Sequence, residues 1–395
     1  MKKIMILGAG RGQVQLIKTA KELGYYTIVA SIEGNYPGFD IADEKCYVDI
    51  SNPEAVLEQA QKLKIDGIAT SCLDTGIAAL GYVCEKMNLP GLDANAAKLS
   101  NNKLLMKEAF EKYNVSTAKY KLIHSEEELL DSIDEFTFPV IIKAVDLQGS
   151  RGINIIRTKE KLLDGYRDTM SETGKDVCLV EEFIEGYDLS VNSFVVNEKC
   201  LFILLCGDIT YIAKTGIPVG HYAPANKNDD LLCQAEEESK KAIKALGLNN
   251  CAVNIDFVVR NNKLYVIELT GRIGANCLPE LTSIYYGVDI YKMIVETAMG
   301  IDVSAYFIEN KKEPTPCYAK MLISEESGSL KEIINSNEEN DNIYEITYFV
   351  EPGDKVNKFT NSKDCIGQVI VKEDTLDNCE KFIGEVIDNI KFVLE

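Results

Sequence analysis

The stretch KIMILGAGRGQVQLIKTAKELGYYTIVAS, from Lys3 to Ser31, constrains the architecture more than any other part of the chain. It reads as a buried strand, a glycine turn, an amphipathic helix ending near Gly24 and a second strand at Thr27 to Ala30. Strands that are apolar throughout and joined by a helix open a doubly wound α/β unit. The alternation continues with a short strand at Cys46 to Val48, a helix from Pro53 to Leu63 and a strand ending near Thr70. The loop Ser71 to Thr75 then lies at the carboxyl end of a strand, where open α/β sheets bind ligands. Asp74 in that loop is a candidate substrate contact or a helix cap.

The glycine turn invites a dinucleotide reading. Gly8 and Gly10 fit GxGxxG, but Gln13 stands at the third glycine, Gly12 comes one place early, and Ser31 rather than an acid ends the second strand. With the fingerprint broken, the turn either packs against its own sheet or holds a small substrate group at the helix N-terminus.

At 395 residues the chain is long enough for two to three domains. A net charge of −20 argues against nucleic-acid or membrane-surface partners, which need clustered Lys and Arg. The twelve cysteines form no CxxC pair and only two histidines are present, so a zinc site is not indicated. The cysteines read as small core residues of a reduced cytoplasm. The apolar run before Gly8 is too short for a signal peptide, and nothing approaches a membrane span, so the expected location is cytoplasmic.

From about Asn95 the pattern changes. A helix carries Lys103 and Lys107 one turn apart, and a strand in FPVIIKAV carries Lys143 among apolar neighbours. A lysine there needs an anion, unless its stem snorkels to water. The following loop, Gln148-Gly149-Ser150-Arg151-Gly152, can wrap backbone N–H groups around phosphate oxygens, or it is an ordinary hairpin turn. A buried strand then leads through Glu181 and Glu182 to an acidic turn, and KTGIPVGHYAPANKN places Lys214 and His221 on a loop. The tail beyond Asn310 reads as a separate unit ending in a helix from Leu376 to Leu394.

Between Asn254 and Asn276 two apolar runs flank Arg260-Asn261-Asn262-Lys263, a β-hairpin pattern. Alternation puts Asn254 and Asp256 on one face of the first run, and Glu268, Thr270 and Arg272 on one face of the second. If the loop is Asn261 to Lys263, Asp256 lies opposite Glu268. Facing carboxylates repel unless a hard cation such as Mg²⁺ neutralises them, and Mg²⁺ takes its remaining ligands from water and phosphate.

Together, Lys103, Lys143, the QGSRG loop, the EEFIEGYDLSV turn and the IDF…VIELTGR hairpin resemble the ATP-grasp superfamily of carboxylate ligases. The tail also looks like the C-terminal module of amino-acid ligases in that superfamily. The resemblance implies an α/β and α+β fold: a Rossmann-like pre-ATP-grasp domain at 1–95, an ATP-grasp domain at 96–305 with a mobile lid at about 118–182, and a C-terminal module at 306–395. It implies that Lys103 and Lys143 meet phosphates, with Gly149, Ser150, Arg151 and Gly152 as the flap over them. Glu181, Glu182, Phe183 and Ile184 would hold adenine through backbone groups, and Asp188 the ribose. Asp256 and Glu268 match the magnesium carboxylates, with Mn²⁺ as an alternative ion. Thr270 stands where the family often has an Asn ligand. Arg272, with Lys143, matches the catalytic positions, and His221, Asn276 and Asp74 the substrate side.

The implied reaction joins a small-molecule carboxylate to an amine at the expense of ATP, with no nucleic-acid or membrane partner and a homodimer as the default assembly. A phosphoribosylglycinamide synthetase-like ligase is the alternative within the class. Outside it stand a non-catalytic nucleotide-binding regulator and an NAD enzyme.

Overall fold

The computed structural model describes residues 1–147, 151–212, 216–225, 228–309 and 312–395. The opening stretch forms β1 (Lys3–Leu7), a helix (Arg11–Glu22) and β2 (Tyr26–Ser31). With β3 (Glu44–Tyr47) and β4 (Gly67–Ala69) they make a parallel sheet in the order β3-β2-β1-β4. Both faces are covered. Ile4 and Ile6 pack with Leu16 and Ile17 of the first helix, while Met5 and Leu7 pack with Val56, Ala60 and Leu80 on the other side. This is why the strands are apolar at consecutive positions.

The glycine turn after β1 is sealed by its own chain. Gln13 is buried; its side chain accepts the Gly10 N–H at 3.0 Å and donates to the Ser71 carbonyl at 2.5 Å. A Cβ on Gly12 would stand 2.9 Å from the Cys72 Cβ. The turn therefore packs against the loop after β4, and Gln13 occupies the backbone donor that a pyrophosphate would need.

A second, antiparallel sheet contains β5 (Tyr120–Ile123), β6 (Val140–Ala144), β7 (Ile153–Ile156) and β8 (Cys178–Glu182), in the order β5-β8-β6-β7. It has a small core of its own, in which Ile123, Val140, Ile142 and Val180 meet Leu129 and Leu162 of two helices.

The largest sheet begins with β9 (Tyr187–Val196), β10 (Lys199–Ile212), β11 (Gly216–Ala223), β12 (Cys251–Arg260) and β13 (Lys263–Thr270). After it come β14 (Cys317–Leu322), β15 (Gly328–Asn335), β16 (Ile343–Tyr348), β17 (Lys355–Val356), β18 (Gly367–Lys372) and β19 (Ile390–Leu394). The order β13-β12-β9-β10-β11-β14-β18-β16 joins the tail to the same sheet, because β14 hydrogen-bonds to β11 with Ala319 opposite His221. The last helix stops at Asp388 rather than Leu394, and the final residues form β19 beside β15. His221 belongs to β11, not to a loop. The glycines and proline that suggested a loop sit instead at a bulge, where Thr210 pairs with Pro218 after Ile209 pairs with Gly220. Among the described residues, no helix is long and apolar enough to cross a membrane.

Candidate active site

The hairpin β12–β13 turns on two residues, Asn261 and Asn262, both with positive φ (53° and 58°), as a tight primed turn requires. The three-residue loop expected from the sequence is thus one residue too long. Arg260 pairs with Lys263, and continued in that register Asp256 would face Ile267. A bulge between Asp256 and Phe257 absorbs one residue, so that Asp256 pairs with Glu268 and Asn254 with Thr270. The facing acids are therefore set by the bulge, and the alternation restored beyond it buries Leu269 while leaving Glu268 exposed.

Asp256 titrates far from an ordinary aspartate: burial, then Glu268 and Asp208, push it up to about 8 against the opposing pull of Arg272 and the Asn254 amide. Asn254 donates to Asp256 Oδ1 at 2.9 Å. Beside the acids, the buried Asn254 Oδ1 and Thr270 Oγ1 have no hydrogen-bond partner among the described residues. Like-charged carboxylates with orphaned oxygens next to them suit a hard, oxygen-seeking cation. Among the described residues no group of three or more His, Cys, Asp or Glu forms a metal cage. A cation here would rely on the two acids, water and a bound phosphate, which is the usual arrangement for Mg²⁺.

The same sheet face carries Asp188 and, beside it, an acid that sequence reasoning missed. Asp208 on β10 accepts from Ser190 Oγ at 2.9 Å and lies 2.7 Å from His221 Nδ1. Asp188 lies opposite Val258 on β12, and burial, then Asp208, raise its carboxyl above the usual range. The one available signal for Asp208 is an acid inside the run ILLCGDITYI. His221 is buried against Asp208.

Across from this face, the lysines are already paired. Lys143 on β6 and Lys107 on the helix Lys103–Lys112 both reach Glu181 Oε2, at 3.1 and 3.0 Å, and all three side chains are nearly inaccessible. Burial alone would raise Glu181, but Lys143 and Lys107 outweigh it and hold the carboxyl below the usual range. The anion that Lys143 required is thus a side chain of the protein. Lys103 donates to the Leu147 carbonyl at 2.5 Å.

Glu182 points elsewhere, to Arg260 at 2.7 Å. The Glu182 and Phe183 N–H groups are taken by the Lys119 and Pro139 carbonyls. Ile184 is buried, and among the described residues its N–H has no acceptor, so it is the donor left for a ligand in this stretch. Gly152 gives its N–H to Glu172 at 2.8 Å; Arg151 is exposed; Gly149, Ser150 and Lys214 lie outside the described residues.

Arg272 and Asp74, named separately from the sequence, form a bidentate pair at 2.8 and 2.7 Å. Burial opposes ionisation of Asp74, but Arg272 more than offsets it and lowers the carboxyl's pKa. Asp74, Arg272, Lys103, Asn254, Asp256 and Glu268 line one small cavity of about 40 Å³. Asn276 instead lines a wide cleft of about 1470 Å³, which runs from Arg11 and Cys72 past Glu280 to Tyr344 and Gln368 of the C-terminal segment. Glu280 is raised to about 6 by burial, which the Tyr291 hydroxyl opposes by donating to it at 2.7 Å. Cys72 lines the same cleft, and burial pushes its thiol up to about 12. All twelve cysteines are free.

Residues 101–306 match the family model described as "Carbamoyl-phosphate synthase L chain, ATP binding domain", and residues 320–395 match "L-amino acid ligase C-terminal domain 2". A carbamoyl phosphate synthase large chain from Clostridium beijerinckii is 26% identical over 337 residues; the match takes in 79% of this chain and 31% of that protein, so the chain spans about a third of the relative's length. The crystal structure of a phosphoribosylglycinamide synthetase from Anaerococcus prevotii is 48% identical, with a TM-score of 0.89 and full coverage of both chains. An L-amino acid ligase from Bacillus licheniformis superimposes with a TM-score of 0.84 over 100% of this chain and 99% of that one; at 17% identity it shows the fold alone.

Proposed function

The chain belongs to the ATP-grasp family of the carbamoyl-phosphate synthase ATP-binding domain, and we propose that it is an ATP-dependent ligase that joins a small carboxylate to an amine through an acyl phosphate. The observation that carries the reading is the single cavity in which Asp256 and Glu268 meet Lys103 and Arg272. A cation pair-site, a phosphate cation and a rigid two-pronged donor are the parts such a reaction needs. The parallel sheet at the N-terminus takes the role of the pre-ATP-grasp domain, and the β5-β8-β6-β7 sheet that of a lid over ATP.

Mg²⁺ bound by Asp256 and Glu268 would offset charge on the phosphate oxygens. The orphaned Asn254 and Thr270 oxygens and the facing acids fit that ion; nothing favours Mn²⁺ over it. Ile184 N–H offers a donor to the nucleobase, Asp188 faces the ribose, and Lys103 and Lys143 bind phosphates. Arg272 orients the substrate carboxylate, whose oxygen attacks the γ-phosphorus while ADP leaves. The amine then attacks the acyl carbon, forming C–N as phosphate departs and the nitrogen loses a proton. Asp74 holds the guanidinium in place beforehand.

Two amines fit the class. The match of residues 320–395 to an amino-acid ligase domain favours an amino acid, while 48% identity to a phosphoribosylglycinamide synthetase favours a phosphoribosyl amine. A phosphate-release screen with MgATP over paired carboxylates and amines separates them. Arg272→Ala is expected to slow ligation by about 10²–10³-fold while ATP still binds. If no pair stimulates release while ATP binds, the ligase reading is wrong.

A further inference from the structure

Lys107 is the buried cation that the proposed reaction does not use. Its ammonium donates to Thr117 Oγ1 at 2.7 Å and lies 3.0 Å from Glu181 Oε2, and the Thr117 hydroxyl donates in turn to the Val266 carbonyl of β13 at 2.7 Å. Lys107 thus ties the strand that carries Glu181 to the metal hairpin. Glu181 Oε2 is shared, because Lys143 approaches the same oxygen at 3.1 Å. The Glu181 side chain is 2% exposed and Lys107's 3%.

Resting on the nucleotide site proposed above, we infer that Lys107 is a positioning residue that lets Lys143 leave Glu181 for the phosphates. The argument is one of charge accounting in a dry site. When Lys143 turns to a phosphate oxygen, Glu181 loses one of two cations, and a carboxylate buried this deeply cannot be left alone without a large cost. With Lys107 in place the carboxylate keeps a partner, so the two lysines and one acid form a triad with a spare positive charge. Without Lys107, Lys143 is the only cation left to Glu181 and stays there. Lys107 is engaged by Thr117 and Glu181, so it acts through Lys143 and not on the nucleotide.

The inference is tested with ATP as the probe, by calorimetric titration of the full chain and by the KM for ATP in phosphate release. Lys107→Met is expected to weaken ATP binding and raise its KM by about tenfold or more, with kcat less affected. Glu181→Gln added to that variant is expected to recover most of the loss, because a neutral amide no longer holds Lys143. ATP binding by Lys107→Met within about threefold of the wild-type value overturns the inference. If Lys107→Met does not fold, the Lys107→Met/Glu181→Gln pair is compared with Glu181→Gln alone. The two should bind ATP alike, and a further tenfold loss on removing Lys107 would mean that it contacts the nucleotide directly. Failure of the wild-type chain to bind ATP at all would instead overturn the nucleotide site.

Discussion

The two charged regions that face the proposed nucleotide site are built on opposite plans. At the β5-β8-β6-β7 sheet, Glu181 is held by Lys143 of β6 and by Lys107 of the helix Lys103–Lys112, so these three buried charges have partners within the protein. On the hairpin, Asp256 faces Glu268 with Asp208 nearby, and Asp256 is pushed up to about 8 even with Arg272 close by. One region is complete without ligand; the other waits for a cation. The difference teaches how a chain of net charge −20 can take a polyanion: its cations are held in reserve by an acid that can share them, and its acids are set where a metal can cancel them.

The contrast can be broken most forcefully at Glu181. Glu181→Ala leaves two buried lysines facing each other and is expected to destabilise the fold by about 3–5 kcal/mol, read by denaturant unfolding. The corresponding change on the hairpin has the opposite sign. Asp256→Asn removes repulsion from Glu268 and is expected to stabilise the apo chain by up to about 1 kcal/mol, while Mg²⁺ no longer stimulates turnover. A destabilisation of similar size to that of Glu181→Ala would mean that Asp256 is already paired.

Acidity should separate the regions as well. Asp256 is raised above its unfolded value of 3.8, so its contribution to stability is full below that value and is lost as pH rises through about 8. Glu181 is lowered from 4.5, so its contribution is present above 4.5 and is lost as pH falls through its depressed folded value. Unfolding curves from pH 4 to 9 are expected to show a decline that starts near pH 4, levels off above about 8 and is flattened in Asp256→Asn. An unchanged slope in that variant would assign the decline to other groups.

The smallest effect is expected at Glu182. Its side chain leaves the site for Arg260, and both are about one-third exposed. Glu182→Ala should cost under about 1 kcal/mol and leave ATP affinity unchanged, since an exposed pair contributes little.

Much of this was legible in the sequence because it is local. Alternation along two strands found the acid pair, and the error of one residue in the turn was cancelled by a bulge that no periodicity announces. The parallel sheet followed from strands apolar at successive positions. What escaped depends on partners far apart in the chain. Asp74 and Arg272 were both named, yet 198 positions separate them and their pairing has no sequence signature. Lys107 was visible one turn from Lys103, but its acid comes from β8. His221 was misplaced because Gly216, Pro218 and Gly220 resemble a loop, when the bulge at Pro218 lets them sit in a strand.

The central claim is that the hairpin acids are a cation site for a nucleotide, and calorimetric titration of ATP with and without Mg²⁺ tests it most directly. The wild-type chain is expected to bind MgATP about tenfold or more tightly than metal-free ATP, and Asp256→Asn/Glu268→Gln to bind both forms alike. A preference for MgATP that survives in the double variant would contradict the account.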